Sequence, residues 1–197
     1  PSIWYEAQIE CDTFSLYGYY LPLIPMTLIG HNEHLGWALT MFANDDVDLF
    51  VEEFHPDDPG LVKYRGEWVP VEEEDETIRV RFGSDIESTV RVTRHGPVIT
   101  DLLEAMLDYE GPPVSLSWVW QHLDYTDLLG FYEMARATTY DEFREGVSKI
   151  TSPGLNVSYA DAEGNIAWWA AGRIPVRPKH VNNKTLLDGA SGQDEIE

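Results

Sequence analysis

The stretch that decides the fold spans residues 26–50, with the sequence MTLIGHNEHLGWALTMFANDDVDLF. Residues 26–29 form an apolar run that ends at a glycine, which is typical of a buried strand entering a turn. Residues 35–42 are apolar and aromatic with one threonine, and they favour a second strand over a helix. Together the two segments predict a hairpin with residues 30–34 at its tip, where His31 is expected to be a hydrogen-bonding brace rather than a base or ligand.

Three aspartates, Asp45, Asp46 and Asp48, follow this hairpin and are interrupted only by Val47. Carboxylates this close repel one another unless a cation or a set of hydrogen-bond donors offsets their charge. Calcium takes carboxylate and backbone carbonyl oxygens from neighbouring positions of such a run. The pattern alone leaves two interpretations open, a calcium site and an Asp-rich turn capped by backbone N–H groups.

Alternating apolar and polar residues predict two more antiparallel hairpins further along the chain. In the first, residues 76–82 and 87–93 alternate on either side of a Gly-Ser-Asp turn, which indicates a half-buried pair of strands. In the second, residues 155–160 and 165–171 are apolar segments joined by Asp-Ala-Glu-Gly at 161–164. The strand content of the chain is therefore expected to be mainly antiparallel.

Two segments predict helices. Residues 126–137 carry apolar side chains at helical spacing, and residues 139–150 open with the capping box Thr-Tyr-Asp-Glu. By contrast, residues 54–60 are expected to form a loop, residues 72–76 an exposed acidic turn between strands, and residues 101–111 a variable acidic segment. The predicted fold class is α+β, predominantly antiparallel β with two helices.

Composition excludes several classes of partner. The 35 acidic and 13 basic residues give a formal net charge of -22, which argues against nucleic acid and anionic membranes, since both require clustered Lys and Arg. The sequence holds no run of about 18 apolar residues, so no membrane span is predicted. The single Cys11 has no partner for an internal disulfide and is expected to be structural or incidental.

Several further blocks of this sequence can be compared with known families. One comprises Leu21, Pro22, Pro25, Gly30, His31, Asn32, Trp37, Thr40, Asp45 and Asp48. The others are residues 1–6 (PSIWYE), 93–97 (TRHGP), 156–166 (NVSYADAEGNI), and Gly172, Pro175 and Arg177. In their order and spacing, these blocks resemble the penicillin acylase (penicillin amidase) family of N-terminal-nucleophile hydrolases.

The resemblance implies an αββα-layered fold, of which residues 1–197 would be a single fragment of the large-subunit domain, truncated at both ends. In this family the nucleophile is a serine at the N-terminus of the large subunit, which self-cleavage of a precursor exposes, and its α-amino group is the base. Here Pro1 and Ser2 open a block that the family places some tens of residues after the nucleophile. The nucleophile is therefore expected upstream, and this chain alone is expected to be inactive without it and the smaller subunit.

The resemblance also assigns site residues. The side-chain amide of Asn156 and the backbone N–H of Met41 would form the oxyanion hole, because uncharged donors aimed at the carbonyl oxygen stabilise the charge that develops there. Without the resemblance, Asn156 after Pro-Gly-Leu is expected to cap a turn. Arg177 matches an arginine near the amino end of the nucleophile, where it would lower the pKa of the amine or hold a substrate carboxylate; taken alone, it is expected to be a surface residue or an ion-pair partner.

For the acidic run, the resemblance implies calcium bound by Asp45, the carbonyl of Val47 and Asp48, with the remaining ligands from the smaller subunit and water. Relatives that act on acyl-homoserine lactones generally lack these aspartates, which favours the penicillin-amidase-like branch without identifying penicillin as the natural substrate. A periplasmic or secreted location also follows from the resemblance alone.

The expected function is hydrolysis of a linear amide bond in a small N-acyl substrate, through an acyl-enzyme on the upstream serine. A noncatalytic, calcium-stabilised binding domain on the same fold is the alternative, because a fold persists without its nucleophile. A carbohydrate-binding β domain, suggested by the seven tryptophans, is the weaker third hypothesis, because most of them lie in apolar stretches that are typical of a core.

Overall fold

The structure of the protein, a computed structural model, describes residues 3–122 and 126–196. Pro1 and Ser2, which open the family block at residues 1–6, and Glu197 lie outside the described residues. The chain divides into two compact units. Unit 1 comprises Pro1–Asp46 and His122–Ile174, and unit 2 comprises Val47–Gln121 and Pro175–Glu197.

The elements follow one another along the chain, with strands predominating over helices. They are β1 (Tyr5–Cys11), β2 (Phe14–Tyr20), β3 (Ile29–His31), β4 (Leu35–Met41), β5 (Val47–Val51), β6 (Phe54–His55), β7 (Asp58–Tyr64), β8 (Glu67–Pro70), β9 (Glu72–Ile78), β10 (Ile86–Thr93), β11 (Gly96–Pro97), α1 (Thr100–Leu107), β12 (Val114–Trp118), a 3₁₀ turn (Val119–His122), α2 (Asp127–Arg136), α3 (Tyr140–Ser148), β13 (Leu155–Asp161), β14 (Ile166–Ala171) and β15 (Leu187–Asp188). This order confirms the predicted α+β class.

Unit 1 is built on a six-stranded antiparallel sheet in the order β1-β2-β3-β4-β13-β14. Side chains alternate between its faces, so that Trp37 of β4 and Val157 of β13 are buried. They belong to the same apolar core as Phe143 of α3 and Met134 of α2. Polar side chains of the central strands are therefore directed to the opposite face.

The predicted hairpin forms from β3 and β4, but its first strand spans Ile29–His31 rather than residues 26–29, and Asn32 is its main brace. The Asn32 Oδ1 atom accepts the backbone N–H of Leu35 at 3.0 Å, and its Nδ2 atom donates to the carbonyls of Ala135 and Ala137 at 3.1 and 2.8 Å. The His31 ring lies within hydrogen-bond distance of the neighbouring Asn32 carbonyl, at 3.0 Å. Asn32 thus connects the hairpin tip to the end of α2. The hydrogen bond of His31 joins only neighbouring residues and makes no such connection.

Both predicted helices form, as α2 and α3. The capping box is present in part, because the Thr139 Oγ1 atom accepts the backbone N–H of Glu142 at 3.3 Å. The Glu142 carboxylate accepts the backbone N–H of Thr138 at 2.8 Å, one residue before the position that a complete box uses.

Unit 2 contains three small sheets with the orders β11-β10-β9, β12-β5-β15 and β6-β7-β8. β15 pairs with β5 in parallel, and the other strand pairs of this unit are antiparallel. β5 is the central strand of its sheet. It begins at the acidic run, so the carboxylate of Asp48 lies on a strand rather than in a turn.

Four expectations for this unit were wrong. Residues 72–76 form part of β9 rather than a turn, because each charged side chain remains in water while the backbone pairs with the β-branched residues of β10. β9 ends at Ile78, and the hairpin that was predicted to be half-buried is largely exposed, with Phe82 at 94% exposure.

The other two corrections concern segments predicted without regular structure. Residues 101–111 contain most of α1, a third helix, whose good helix formers Leu, Glu, Ala and Met outweigh the acidic composition. Residues 54–60 contain β6 and the start of β7, which pair with a shift in register between Phe54 and His55. Local composition there favoured a loop, and pairing within the sheet overrode it.

Candidate active site

Asn156 lies on β13 between Leu155 and Val157, which are both buried in the core of unit 1. Because successive side chains of a strand point to opposite faces, Asn156 projects from the face that the helices do not cover. Its cross-strand neighbour is Thr40 of β4. The Asn156 Nδ2 atom donates to the carbonyl of Met41 at 3.0 Å, so the two residues predicted for the oxyanion hole are in contact.

The direction of the Met41 backbone follows from two hydrogen bonds along β4. On the side of β3, the carbonyl of Leu35 accepts the N–H of Asn32, which follows β3, at 3.0 Å. On the side of β13, the N–H of Phe42 donates to the carbonyl of Gly154, which precedes β13, at 2.9 Å. The backbone N–H and C=O groups of successive residues point to alternate sides of a strand. Those of the odd-numbered residues of β4 are therefore directed toward β3. β3 pairs with β4 only at Gly36 and Trp37, so the Met41 N–H lies beyond the end of that pairing.

The turn before Asn156 is held by contacts with partly buried carboxylates. The Asp127 Oδ1 atom accepts the backbone N–H groups of Thr151 and Ser152 at 2.5 and 3.2 Å, and its Oδ2 atom accepts the Thr151 hydroxyl at 2.6 Å. The Ser152 hydroxyl donates to Asp46 Oδ2 at 2.9 Å. The start of α2 and the acidic run therefore both fix the turn that leads into β13.

In unit 2, Arg177 forms a buried ion pair with Asp48. Arg177 Nε lies 2.9 and 3.0 Å from the two Asp48 carboxylate oxygens, and Nη2 lies 2.8 Å from Oδ2. The Asp48 side chain is 2% exposed and that of Arg177 is 13% exposed. The structure thus brings together a predicted calcium ligand and a predicted active-site arginine. The ion pair is also what the sequence predicts for Arg177 when the family resemblance is left aside.

The other residues of the acidic run are placed as follows. Asp45 is exposed with a left-handed backbone at φ 46°, and Val47 begins β5 with a side chain that is 39% exposed. Within residues 3–122 and 126–196, no group of three or more His, Cys, Asp and Glu side chains is arranged to hold a metal ion. The donors predicted for calcium are hard oxygens, as calcium prefers, and one of them, Asp48, shares its carboxylate with Arg177.

A buried polar network in unit 2 was missed by the sequence reasoning. Glu52 Oε1 accepts the hydroxyls of Thr93 and Ser115 at 2.7 and 2.6 Å and lies 2.8 Å from His95 Nδ1. The other ring nitrogen of His95 lies 3.1 Å from the Glu195 carboxylate. His95 and Glu52 are 5% and 2% exposed, so a histidine is enclosed between two carboxylates.

The two central groups of this network have shifted pKa values. Burial alone would lower the pKa of His95, but the hydrogen bonds and negative charges of Glu52 and Glu195 outweigh burial and raise it. Burial alone would raise the pKa of Glu52, but hydrogen bonds from His95, Ser115 and Thr93 hold it below its ordinary value. Both shifts favour an ionised pair. In the sequence, only the block TRHGP pointed to this cluster. It marked the position of His95 but did not identify Glu52 as its partner.

Comparisons with known proteins agree with the fold. The family model described as penicillin amidase matches residues 1–197. Among solved structures, the thermostable penicillin G acylase from Alcaligenes faecalis matches with a TM-score of 0.86 and 28% identity, over 100% of this chain and 34% of that chain. None of the helices within the described residues is long and apolar enough to cross a membrane.

Two kinds of acylase are found among the curated relatives. Acyl-homoserine lactone acylase QuiP from Pseudomonas syringae pv. tomato is 33% identical over 181 residues, 89% of this chain and 21% of its own length. Penicillin G acylase from Escherichia coli is 29% identical over 170 residues, 86% of this chain and 19% of its own length. The chain thus spans about a fifth of the length of these relatives.

Proposed function

Because this chain belongs to the penicillin amidase family, we propose that the intact protein is an amidohydrolase that cleaves a linear N-acyl amide bond of a small molecule. The observation that carries the proposal is the contact between the Asn156 side-chain amide and the Met41 backbone at the open end of β4. This contact supports the proposal because it sets an uncharged side-chain donor beside the backbone of another strand, and uncharged donors are suited to stabilise an oxyanion.

In the proposed reaction, a serine hydroxyl at the N-terminus of the large subunit, outside this chain, attacks the amide carbonyl carbon. Its α-amino group takes the hydroxyl proton and passes it to the leaving amine. The carbon–nitrogen bond breaks, the acyl group stays on the serine as an ester, and water hydrolyses that ester with return of the proton. Both steps place negative charge on the former carbonyl oxygen, so the same donors stabilise both transition states.

The role of this chain in that reaction is to position the donors. The Asn156 amide carries two N–H groups: one donates to the Met41 carbonyl and fixes the plane of the amide, and we assign the other to the oxyanion. The Met41 N–H is the second donor. Removal of one such donor typically costs about 3 kcal/mol of transition-state stabilisation.

We also propose the arrangement of the intact protein. It would comprise a smaller subunit and a large subunit that self-cleavage separates, in a periplasmic or secreted location, with Arg177 acting near the amino end of the nucleophile. The bidentate pair with Asp48 would hold the guanidinium in one orientation, since a planar, permanently charged group with two bonds to one carboxylate has little freedom.

Calcium is proposed as a structural ion of the intact protein on donor chemistry alone. Asp45, the Val47 carbonyl and Asp48 supply oxygens, and calcium requires six to eight, so the remainder would come from water and from other segments. When bound, the ion would offset the charge of the aspartates. Asp48 already has a cationic partner in Arg177, so we expect the calcium-free protein to stay folded. Chelation of calcium should lower the melting temperature of the unmodified protein and should not change that of Asp45→Asn.

The substrate branch is a separate proposal. We assign the protein to the penicillin-amidase-like branch on the aspartates after the hairpin, although the relatives include acyl-homoserine lactone acylases. Comparison of kcat/KM for a phenylacetyl anilide and for a long-chain acyl-homoserine lactone tests this assignment. We expect the anilide to be preferred, and a preference for the lactone would overturn the assignment while leaving amide hydrolysis intact.

The test of the overall function is a pre-steady-state assay of the intact, processed protein with chromogenic acyl anilides. We expect a burst of released amine, close to one equivalent per site, and a large subunit that begins with serine on N-terminal sequencing. An unprocessed chain that cleaves no anilide, while calcium raises its melting temperature, would favour the noncatalytic binding domain instead.

A further inference from the structure

We propose that Asn44 is a positioning residue for the oxyanion donors, an inference that rests on the proposed function. Asn44 follows β4 and is buried, at 8% exposure. Its Nδ2 atom donates to the backbone carbonyl of Arg173 at 3.1 Å. The side chain therefore joins the end of the hairpin that carries Met41 to the segment that follows β14.

The Asn44 side chain also fills the space next to the turn that precedes Asn156. A side chain at position 154 would place its Cβ atom 2.5 Å from Asn44 Cγ and 2.6 Å from Asn44 Oδ1. A Cβ atom at Gly172 would lie 3.0 Å from the Gly154 Cα atom and 3.5 Å from Asn44 Nδ2. The two glycine backbones and the Asn44 amide are therefore packed without room for one more carbon atom.

This packed group controls the spacing of the two donors. Gly154 accepts the backbone N–H of Phe42 at 2.9 Å, next to Met41, and it precedes Asn156 by two residues. Arg173 donates its own N–H to the Thr151 carbonyl at 2.7 Å. The bond from Asn44 to Arg173 thus closes a ring of contacts around the turn that presents the Asn156 amide.

Loss of this side chain would let Gly154 and the start of β13 shift toward the vacated volume. Donors that are misplaced by about 1 Å reduce the rate on the order of 100-fold, and β13 and β4 remain paired, so we expect a smaller shift. For Asn44→Ala in the intact, processed protein, kcat should fall about 10-fold while KM changes less than about twofold, because the donors act mainly in the transition state.

A double-mutant cycle separates positioning from a general loss of stability. If Asn44 acts through the Asn156 amide, Asn44→Ala should lower kcat less than about twofold in a protein that already carries Asn156→Ala, since coupled residues are not additive. Asn165→Ala is the matched control: its Nδ2 atom donates to Asp161 at 2.8 Å at the turn end of the same hairpin. It should lower the melting temperature slightly and leave kcat unchanged.

The outcomes are distinct. A full 10-fold loss from Asn44→Ala on the Asn156→Ala background, or an unchanged kcat in Asn44→Ala while Asn156→Ala is impaired, would overturn the positioning role alone. An unchanged kcat in Asn156→Ala would overturn the proposed oxyanion role and the role of Asn44 with it. If Asn44→Ala does not fold, Asn44→Ser, which keeps a hydroxyl donor beside Gly154, should lose about threefold in kcat, and a kcat equal to that of the unmodified protein would overturn the proposal.

Discussion

In unit 1, the sheet and two helices enclose an apolar core. Unit 2 instead encloses ionisable groups beside a smaller set of buried apolar side chains. The connected apolar core formed by Leu16, Met26, Leu35, Trp37, Met134, Ala135, Ala137, Phe143, Val147, Ile150, Leu155, Val157, Tyr159 and Ala171 lies entirely in unit 1. Within residues 3–122 and 126–196, the buried carboxylates and the buried histidine, namely Asp48, Glu52 and His95, all belong to unit 2.

The two units are therefore stabilised by forces that depend differently on solution conditions. Burial of apolar surface has no directional requirement and changes little with pH. A buried ion pair stabilises only while both partners keep their charge and geometry, and loss of one partner leaves the other uncompensated. Unit 1 should therefore respond to changes in volume, and unit 2 to changes in charge.

The largest effect is expected from truncation of the core of unit 1. Phe143 is completely buried and contacts the Trp37, Tyr159 and Trp169 rings, at centroid distances of 5.8, 5.0 and 5.9 Å. Phe143→Ala should lower the free energy of unfolding of the intact protein by about 3 to 5 kcal/mol. Urea denaturation at pH 5.5 and pH 8 should give the same loss, and a loss that depends strongly on pH would contradict the comparison.

A slightly smaller effect is expected from Glu52→Gln in unit 2. The neutral amide still accepts the hydroxyls of Thr93 and Ser115 but no longer offsets the charge of His95, so we expect a loss of about 1.5 to 3 kcal/mol, the usual worth of a hydrogen bond to a charged group. Hydrogen exchange followed by mass spectrometry should show faster amide opening in β5 and β12, with unit 1 unaffected. Equal acceleration in both units would show that the network is not local to unit 2.

The stability of unit 2 should also depend on pH, through His95 and Glu52. Since the pKa of His95 is raised from its ordinary value of 6.5, its contribution is complete below about pH 6.5 and is lost as the pH rises through the raised pKa. Since the pKa of Glu52 is lowered from 4.5, its contribution is present above about pH 4.5 and is lost as the pH falls through the lowered pKa. Protection of unit 2 amides, corrected for chemical exchange, should therefore be greatest between those two values.

The groups that face His95 are Glu52, Glu195 and, by its charge, Asp188, with Arg94 paired to Glu195 at 3.1 Å. His95→Gln should remove most of the decline above pH 6.5. The control is His180→Gln, which removes an exposed histidine that lies 3.1 Å from Asp194 and should leave the profile unchanged. A profile that His95→Gln does not alter would mean that another group controls it.

The smallest effect is expected from a surface pair of the same unit. Lys63 and Glu53 are 2.8 Å apart, with side chains 37% and 51% exposed. Lys63→Ala should change the free energy of unfolding by less than about 1 kcal/mol, because exposed pairs gain little in water. A loss as large as that from Glu52→Gln would contradict the view that burial, rather than ion pairing itself, distinguishes unit 2.

The apolar core of unit 1 could be predicted from the sequence more readily than the buried ion pairs of unit 2. The strands around Trp37 and Val157 were predictable, because alternation and helical spacing are local patterns. The pairs Glu52–His95 and Asp48–Arg177 were not, because their members are separated by 43 and 129 positions and only the fold brings them together. Asn156 and Met41 were predicted as a pair from the family resemblance, whereas Asn44 carries no local pattern that points to Gly154.

The role of the Asn156 amide as an oxyanion donor is tested by the kcat of Asn156→Ala in the intact, processed protein, measured with a chromogenic acyl anilide beside the Asn165→Ala control. We expect kcat to fall about 100- to 1,000-fold with Asn156→Ala, with KM little changed and the fold intact by circular dichroism, and to stay unchanged with Asn165→Ala. An Asn156→Ala protein that keeps the kcat of the unmodified protein would contradict the assignment of this side chain to the oxyanion.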